Sequence, residues 1–229
     1  MFTGIITCIG KAILNNETLI VYVNEIFLLG LKIGDSVCVN GVCLTVVKFN
    51  ENSMEFFVMS ETLRVTCIDS SYVNLERALI YGHNISGHII SGHVNNIGTI
   101  EHIINNKDSS KTFVIKIKNK MIVKYKDSIA INGTSLTVAK VYDDIVEVCL
   151  IPYTINNTTF QYTIIGDKVN IEYDISPVNE IDYMARAIEL SELGRQTTLP
   201  NPWVGCVIVN HNIIIGEGYH QKCGHNHAE

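Results

Sequence analysis

The octapeptide VNGVCLTV, residues 39–46, returns as INGTSLTV at residues 131–138, and no other feature of the 229-residue chain restricts its fold so strongly. Asn40 and Asn132 lie 92 residues apart, and ETLR from Glu61 keeps that spacing to YTIN from Tyr153. VNLER from Val73 matches VNIEY from Val169 at an offset of 96, and TGIITCIG ending at Gly10 aligns with SGHVNNIG ending at Gly98 at an offset of 88. Matches that keep their order along the chain define a tandem duplication, with copies over residues 1–86 and 87–177.

Each copy reads as β-structure. SVCV-NG-VCLTVV sets two strands rich in β-branched residues around Asn-Gly, a pair that suits a type I′ turn because both central positions need positive φ. SIAI-NG-TSLTVA repeats the design, and VVKF-NENS-MEFFVM and AKV-YDD-IVEVCLI supply the next hairpin of each copy. Short strands with closely spaced turns predict a small closed barrel per copy. A lone barrel of this size has a thin core, so pairing two of them aids stability.

Composition narrows the functional classes. Hydrophobic residues make up 47% and charged residues 17%, the balance of a globular protein. A net charge of −6 offers no general attraction to nucleic acid or anionic membranes. No apolar run reaches the ~20 residues of a membrane helix. The start, MFTGIITCIG, lacks a basic n-region and a cleavage site. Seven scattered cysteines without a CxxC pair read as reduced thiols in a cytoplasm.

The character changes after Pro177, where three of the four prolines begin. DYMARAIELSELG predicts a helix with Ile181, Met184, Ala185 and Ile188 on one face, Asn179 as cap and Gly194 at its stop. WVGCVIV-NHN-IIIGEGYH predicts a β-hairpin. A third unit is therefore expected over residues 179–229.

MFTGIIT, NGVCLTV, SETLR, VNLERA, SGHIISGHV and INGTSLTV, in that order over residues 1–177, resemble the α chain of the riboflavin synthase family. The resemblance implies two tandem six-stranded Greek-key barrels, each binding one molecule of 6,7-dimethyl-8-ribityllumazine. It implies a transferase that moves a four-carbon unit between two such molecules, giving riboflavin and 5-amino-6-(ribitylamino)uracil without an added cofactor. It also implies a homotrimer, in which the reacting pair lies between the first barrel of one subunit and the second barrel of its neighbour. Substrate contacts carried over from the family are Gly4, Ile5 and Ile6; Cys43, Leu44 and Thr45; and Phe57, Val58, Met59, Ser60, Glu61 and Thr62. In the second copy they are Gly92, His93 and Val94; Lys126; Ser135, Leu136 and Thr137; and Cys149, Leu150, Ile151, Pro152, Tyr153 and Thr154.

A reaction between two copies of one molecule is served by two copies of one module, yet donor and acceptor must behave differently. Cys43 faces Ser135 in the repeat alignment and Ile5 faces His93, while Thr45 and Thr137 are unchanged. Binding is expected on the shared positions and chemistry on the divergent ones. The step removes a proton from an activated ring methyl and adds a nucleophile to the partner ring, work suited to an imidazole, hydroxyls and a thiol. His93, Ser135, Thr137 and Cys43 are therefore the candidate catalytic residues. On composition alone Cys43 is an ordinary strand cysteine, Ser135 and Thr137 are strand formers, and His88 with His93 lacks the further ligands of a metal site. Tyr153 stands where the first copy has Glu61.

The third unit resembles the opening of a riboflavin-pathway pyrimidine deaminase, on PNPWVG and HAE. Such deaminases use a His and two Cys on zinc, with the Glu of H-x-E as proton carrier. His227 and Glu229 fit the first half of that pattern, while Cys206 and Cys223 lie upstream at the wrong spacing. No metal site and no deaminase activity are expected. The rival readings are a lumazine- or flavin-binding protein of the same fold without turnover, and one half of a bifunctional pathway fusion.

Overall fold

The structure, a computed structural model, describes residues 1–69, 71–118, 123–174, 178–210 and 213–228, without the side chains of 178–182 and 213. It divides into two compact units, 1–174 and 175–229. The first unit holds twelve strands: β1 (Cys8–Asn15), β2 (Thr18–Tyr22), β3 (Ser36–Val39), β4 (Val42–Phe49), β5 (Ser53–Phe57) and β6 (Tyr72–Arg77), then β7 (Asn96–Asn105), β8 (Lys111–Ile117), β9 (Ser128–Ile131), β10 (Thr134–Tyr142), β11 (Ile145–Leu150) and β12 (Lys168–Tyr173). Four helices are α1 (Glu25–Leu28), α2 (Ser60–Val65), α3 (Pro152–Asn156) and, in the second unit, α4 (Val178–Glu192).

Two closed antiparallel barrels result, in the orders β1-β2-β5-β4-β3-β6 and β7-β8-β11-β10-β9-β12. The second order is the first with every strand advanced by six places, so the duplication is one of topology as well as sequence. Both barrels carry a bulge at the same place on the long hairpin strand, between Val46 and Lys48 and between Val138 and Lys140. The Asn-Gly hairpins form as expected, with φ of +47° and +83° at Asn40 and Gly41 and +47° and +76° at Asn132 and Gly133. Inward-pointing residues alternate along the strands and close each barrel around its own core. Leu19, Val21, Met54, Phe56, Val73 and Leu75 fill the first, and Ile100, Phe113, Ile115, Val146, Val148 and Ile171 the second. Each such side chain contributes roughly 1.5–3 kcal/mol by leaving water.

The barrels meet across a mostly polar seam with a small apolar plug of Phe2, Cys38, Ile90 and Ala130. Phe2 and Ile90 exchange both backbone hydrogen bonds, at 2.8 and 3.0 Å. Around the plug lie four buried asparagines related by the repeat. The Asn40 Oδ1 accepts from the Asn74 N–H and the Asn132 Oδ1 from the Asn170 N–H, both at 2.8 Å, within their own barrels. Across the seam, Asn74 Nδ2 donates to the Asn132 carbonyl at 2.9 Å and its Oδ1 accepts from Thr159 N–H at 2.7 Å. Asn170 mirrors this, donating to the Asn40 carbonyl at 2.8 Å and accepting from Cys67 N–H at 2.7 Å.

In the second unit, α4 packs on a two-stranded sheet of β13 (Gly205–Asn210) and β14 (Ile213–Tyr219). The helix and hairpin match the sequence reading, with Gly194 just past the last helical residue. The expected cap Asn179 and the face residue Ile181 lie outside the described side chains, as Pro177 and Glu229 lie outside the described residues.

Replacing Asn74 by Ala would leave the buried Thr159 N–H and Asn132 carbonyl without their partner. The expected loss is about 2–4 kcal/mol, read from the midpoint of urea unfolding. A loss below about 1 kcal/mol would show that water takes the place of the amide.

Candidate functional site

The segments before β1 and β7 do not stay with the barrels they introduce. Glu76 on β6 grips the first segment: its carboxylate accepts from Thr3 N–H at 2.7 Å, Thr3 Oγ1 at 2.6 Å and Gly4 N–H at 2.9 Å. Glu172 on β12 grips the second in the same way, accepting from Ser91 N–H at 2.6 Å, Ser91 Oγ at 2.8 Å and Gly92 N–H at 2.9 Å. Each gripped glycine then turns its carbonyl to the opposite barrel. Gly4 accepts from Ser135 N–H and Gly92 accepts from Cys43 N–H, both at 2.9 Å.

Two equivalent residue groupings follow, the candidate clefts, each floored by one barrel and lipped by the leader of the other. In the first, Cys43 is half-buried, Leu44 buried and Thr45 exposed on β4. Phe57 and Met59 are exposed around buried Val58, and Ser60, Glu61 and Thr62 open α2. The lip is Gly92, exposed His93 and Val94, which packs against the core of the first barrel. In the second, Ser135, Leu136 and Thr137 lie on β10, Cys149 is exposed on β11 beside buried Leu150, and Ile151, Pro152, Tyr153 and Thr154 lead through α3. Its lip is Gly4, exposed Ile5 and half-buried Ile6. Lys126 borders it, with its N–H on the Val138 carbonyl, a φ of +72° and its ammonium 5.3 Å from the Tyr125 ring.

The candidate catalytic residues therefore divide. His93 sits with Cys43 over the first barrel, whereas Ser135 and Thr137 sit with Ile5 over the second. The local pattern of each segment said nothing of which barrel it would lie on. Three further groups were not among the candidate site residues. Glu76 and Glu172 are buried carboxylates inside the matched VNLER and VNIEY, where a polar residue retained in both copies on a buried strand was the available signal. His88, also buried, places its Nδ1 2.7 Å from Ser135 Oγ. Burial pushes its imidazole below the ordinary value, against the pull of Asp174 and Glu172.

The substitution at Tyr153 removes more than a carboxylate. In α2 Glu61 forms an exposed ion pair with Arg64 at 2.6 Å, which holds its carboxyl below the usual range. The equivalent positions in α3 are Tyr153 and Asn156, so both partners are exchanged together and neither leaves an orphan charge. A separate cavity of about 520 Å³ is lined by Asn40, Cys67, Tyr72, Thr159 and Tyr162 among others, and none of the candidate site residues borders it.

In the second unit His220 Nδ1 lies 2.8 Å from the Asn226 carbonyl, and its ring is 6.1 Å from that of His227. Among the described residues no three His, Cys, Asp or Glu side chains converge to hold a metal. The described donors thus do not fit a zinc site, which needs three protein ligands.

The paired clefts define a class of protein. The family model of the lumazine binding domain matches twice, over residues 3–78 and 91–174. The chain is 38% identical over 201 residues to riboflavin synthase of Buchnera aphidicola subsp. Schizaphis graminum, covering 82% of this chain and 96% of that one. It is 40% identical over 185 residues to riboflavin synthase of Actinobacillus pleuropneumoniae, covering 76% and 86%. The chain belongs to the riboflavin synthase family. The crystal structure of LumP complexed with riboflavin shares the fold, with a TM-score of 0.66 at 25% identity over 76% of this chain and 99% of that one. A further segment of 52 residues is 67% identical to the diaminohydroxyphosphoribosylamino-pyrimidine deaminase of Buchnera aphidicola subsp. Acyrthosiphon pisum, and spans 35% of that relative's length.

The lip geometry can be tested on stability. A Cβ at Gly92 would stand 2.6 Å from the Cys43 Cβ at a φ of +82°. Gly92→Ala should cost about 3 kcal/mol or more in thermal unfolding. Gly30→Ala, with positive φ but nothing within 4 Å, should cost only about 1–2 kcal/mol.

The grip can be tested by pH. Burial raises the Glu76 carboxyl above its ordinary value, against the hydrogen bonds from Thr3 and Gly4 and the N-terminal ammonium. The folded state then holds this proton more tightly than the unfolded chain, so its contribution is full at low pH and is lost as pH rises through the raised value. The stability of the native chain relative to Glu76→Gln should decline as pH rises above the ordinary glutamate value of about 4.3, measured by urea midpoints. A flat difference would contradict the raised value.

Proposed function

We propose that residues 1–177 convert two molecules of 6,7-dimethyl-8-ribityllumazine into riboflavin and 5-amino-6-(ribitylamino)uracil, as a transferase. What carries the reading is a pair of equivalent clefts whose side chains differ where the two ligands must differ: Cys43 with His93 in one, Ser135 with Ile5 in the other. The family membership along most of the chain supports it. We assign the domains as 1–86 and 87–177, one ligand to each, followed by 179–229.

In each cleft the polar edge of the flat ring would meet the first residues of β4 or β10 and the lip backbone. Its ribityl chain would run toward α2 or α3, where Ser60, Thr62 and Thr154 offer hydroxyl partners. Four carbons pass from the donor ring to the acceptor, the donor keeping its ribitylamino group, so atoms balance with no added oxidant or cofactor. The imidazole of His93 is suited to carry the methyl proton. Ser135 and Thr137 are suited to hold the attacking oxygen nucleophile, and Cys43 marks the opposite half. Holding two rings in a fixed stack supplies much of the remaining acceleration, since effective molarities of oriented partners reach ~10⁵ M.

His93 and Ser135 lie over different barrels, which supports a reacting stack that would join the first cleft of one copy to the second cleft of another. The exposed Phe57, Met59, Ile151 and Tyr153 around the two mouths are apolar surface that such a contact would cover. We take the assembly to be a homotrimer. All seven cysteines are free thiols, which supports a reducing cytoplasm. Among the described residues no helix is long and apolar enough to cross a membrane. We take the 179–229 segment to lack deaminase activity, on the donor set described above.

Purified protein mixed with the lumazine should form riboflavin, followed by its visible absorbance. Tight binding without product would favour a carrier of the same fold. His93→Ala should lower kcat at least about tenfold with KM little changed. Loss of affinity at constant kcat would assign His93 to binding alone.

A further inference from the structure

His88 lies just ahead of the second leader segment and packs behind Ser135. It is 9% exposed, and its backbone N–H donates to the Thr3 carbonyl at 3.1 Å. The preceding Gly87 permits that approach: a Cβ there would stand 2.1 Å from the Thr3 oxygen and 2.8 Å from the Ser135 Cβ. The imidazole is thereby pressed against Ser135, with Nδ1 2.7 Å from the hydroxyl oxygen. Its other nitrogen, Nε2, is enclosed without a hydrogen-bond partner.

That enclosure selects a tautomer. A proton on Nε2 would leave a buried N–H unsatisfied, the rarer and costlier defect, whereas a proton on Nδ1 leaves only a buried lone pair. The imidazolium would bury both a charge and the orphan N–H, and burial already opposes it. We propose that His88 is a positioning residue for the second cleft: its Nδ1–H donates to Ser135 Oγ, which leaves the serine O–H free to donate to an acceptor on the bound ring, a carbonyl oxygen or an unprotonated ring nitrogen. The Ser135 N–H is already committed to the Gly4 carbonyl, so the side-chain hydroxyl is the donor left for a ligand at this position. The first cleft has a weakly donating thiol at the equivalent Cys43, and among the described residues no imidazole hydrogen-bonds to it. His88 thus adds a second difference between the clefts, set behind the residues that line them.

The proposal rests on reading the second cleft as a ligand half-site, so its test needs one readout that does not depend on turnover. Nitrogen NMR of the imidazoles, with His88 assigned by its disappearance in His88→Asn, should show a neutral ring protonated at Nδ1. A ring protonated at Nε2, or at both nitrogens at neutral pH, would overturn the proposal whether or not the protein makes riboflavin. In steady-state assays with the lumazine, His88→Leu should reduce kcat/KM about five- to tenfold, the scale of one positioned hydrogen bond. His88→Asn, whose amide N–H can take the place of Nδ1–H, should restore it to within about threefold. In a Ser135→Ala background His88→Leu should have no further effect, because His88 acts through that hydroxyl. An equal loss in both backgrounds, or no loss in either, would contradict the positioning role.

Discussion

Asn74 and Asn170 are each 1% exposed, yet between them they hold the two barrels in register. Leaving a buried amide unpaired costs about 1–3 kcal/mol per group, so such a seam is tolerable only when every donor and acceptor is met. Here the repeat meets those of Asn74 and Asn170 reciprocally: the side chain of Asn74 takes a carbonyl and an N–H from the second barrel, and Asn170 takes the same pair from the first. Apolar contact alone would let two similar barrels slide, whereas fixed amide pairs define one pseudo-symmetric arrangement. Both clefts depend on that arrangement, since each is built from both barrels.

From this seam the route to chemistry is short. Glu76 and Glu172 hold the leader segments at their glycines, and the glycine carbonyls reach across to Ser135 and Cys43. Under the proposed function, near-symmetry would receive two like ligands alike. The departures from symmetry would then carry the difference in behaviour: a thiol for a hydroxyl, an isoleucine for a histidine, an ion pair in α2 for tyrosine and asparagine in α3. His88 extends the same logic behind the second cleft, through its contact with Ser135.

Much of this architecture was legible in the residues. The duplicated octapeptide announced two copies, and Asn-Gly between β-branched runs demanded hairpins that the positive φ values at Asn40 and Asn132 display. The crossing of the leaders was not legible, because GII and GHV carry no local preference for one barrel over its twin. That choice is made by long-range bonds such as Ser135 N–H to the Gly4 carbonyl and Cys43 N–H to the Gly92 carbonyl. For the same reason His93 reads in sequence as a companion of the nearby second barrel, while the fold sets it over the first. Asn74 and Glu76 were visible as retained letters, but their meaning depends on a seam that exists only once both barrels have closed. In sequence, His88 with His93 lacks the further ligands of a metal site; its actual neighbour, Ser135, is 47 residues away.

The central claim is that one chain carries two ligand half-sites of common design and unequal lining. Titration of the intact protein with the lumazine, counting bound molecules per chain by fluorescence, addresses it most directly. The account predicts two molecules per chain with different affinities. One molecule per chain, or two held identically, would contradict it.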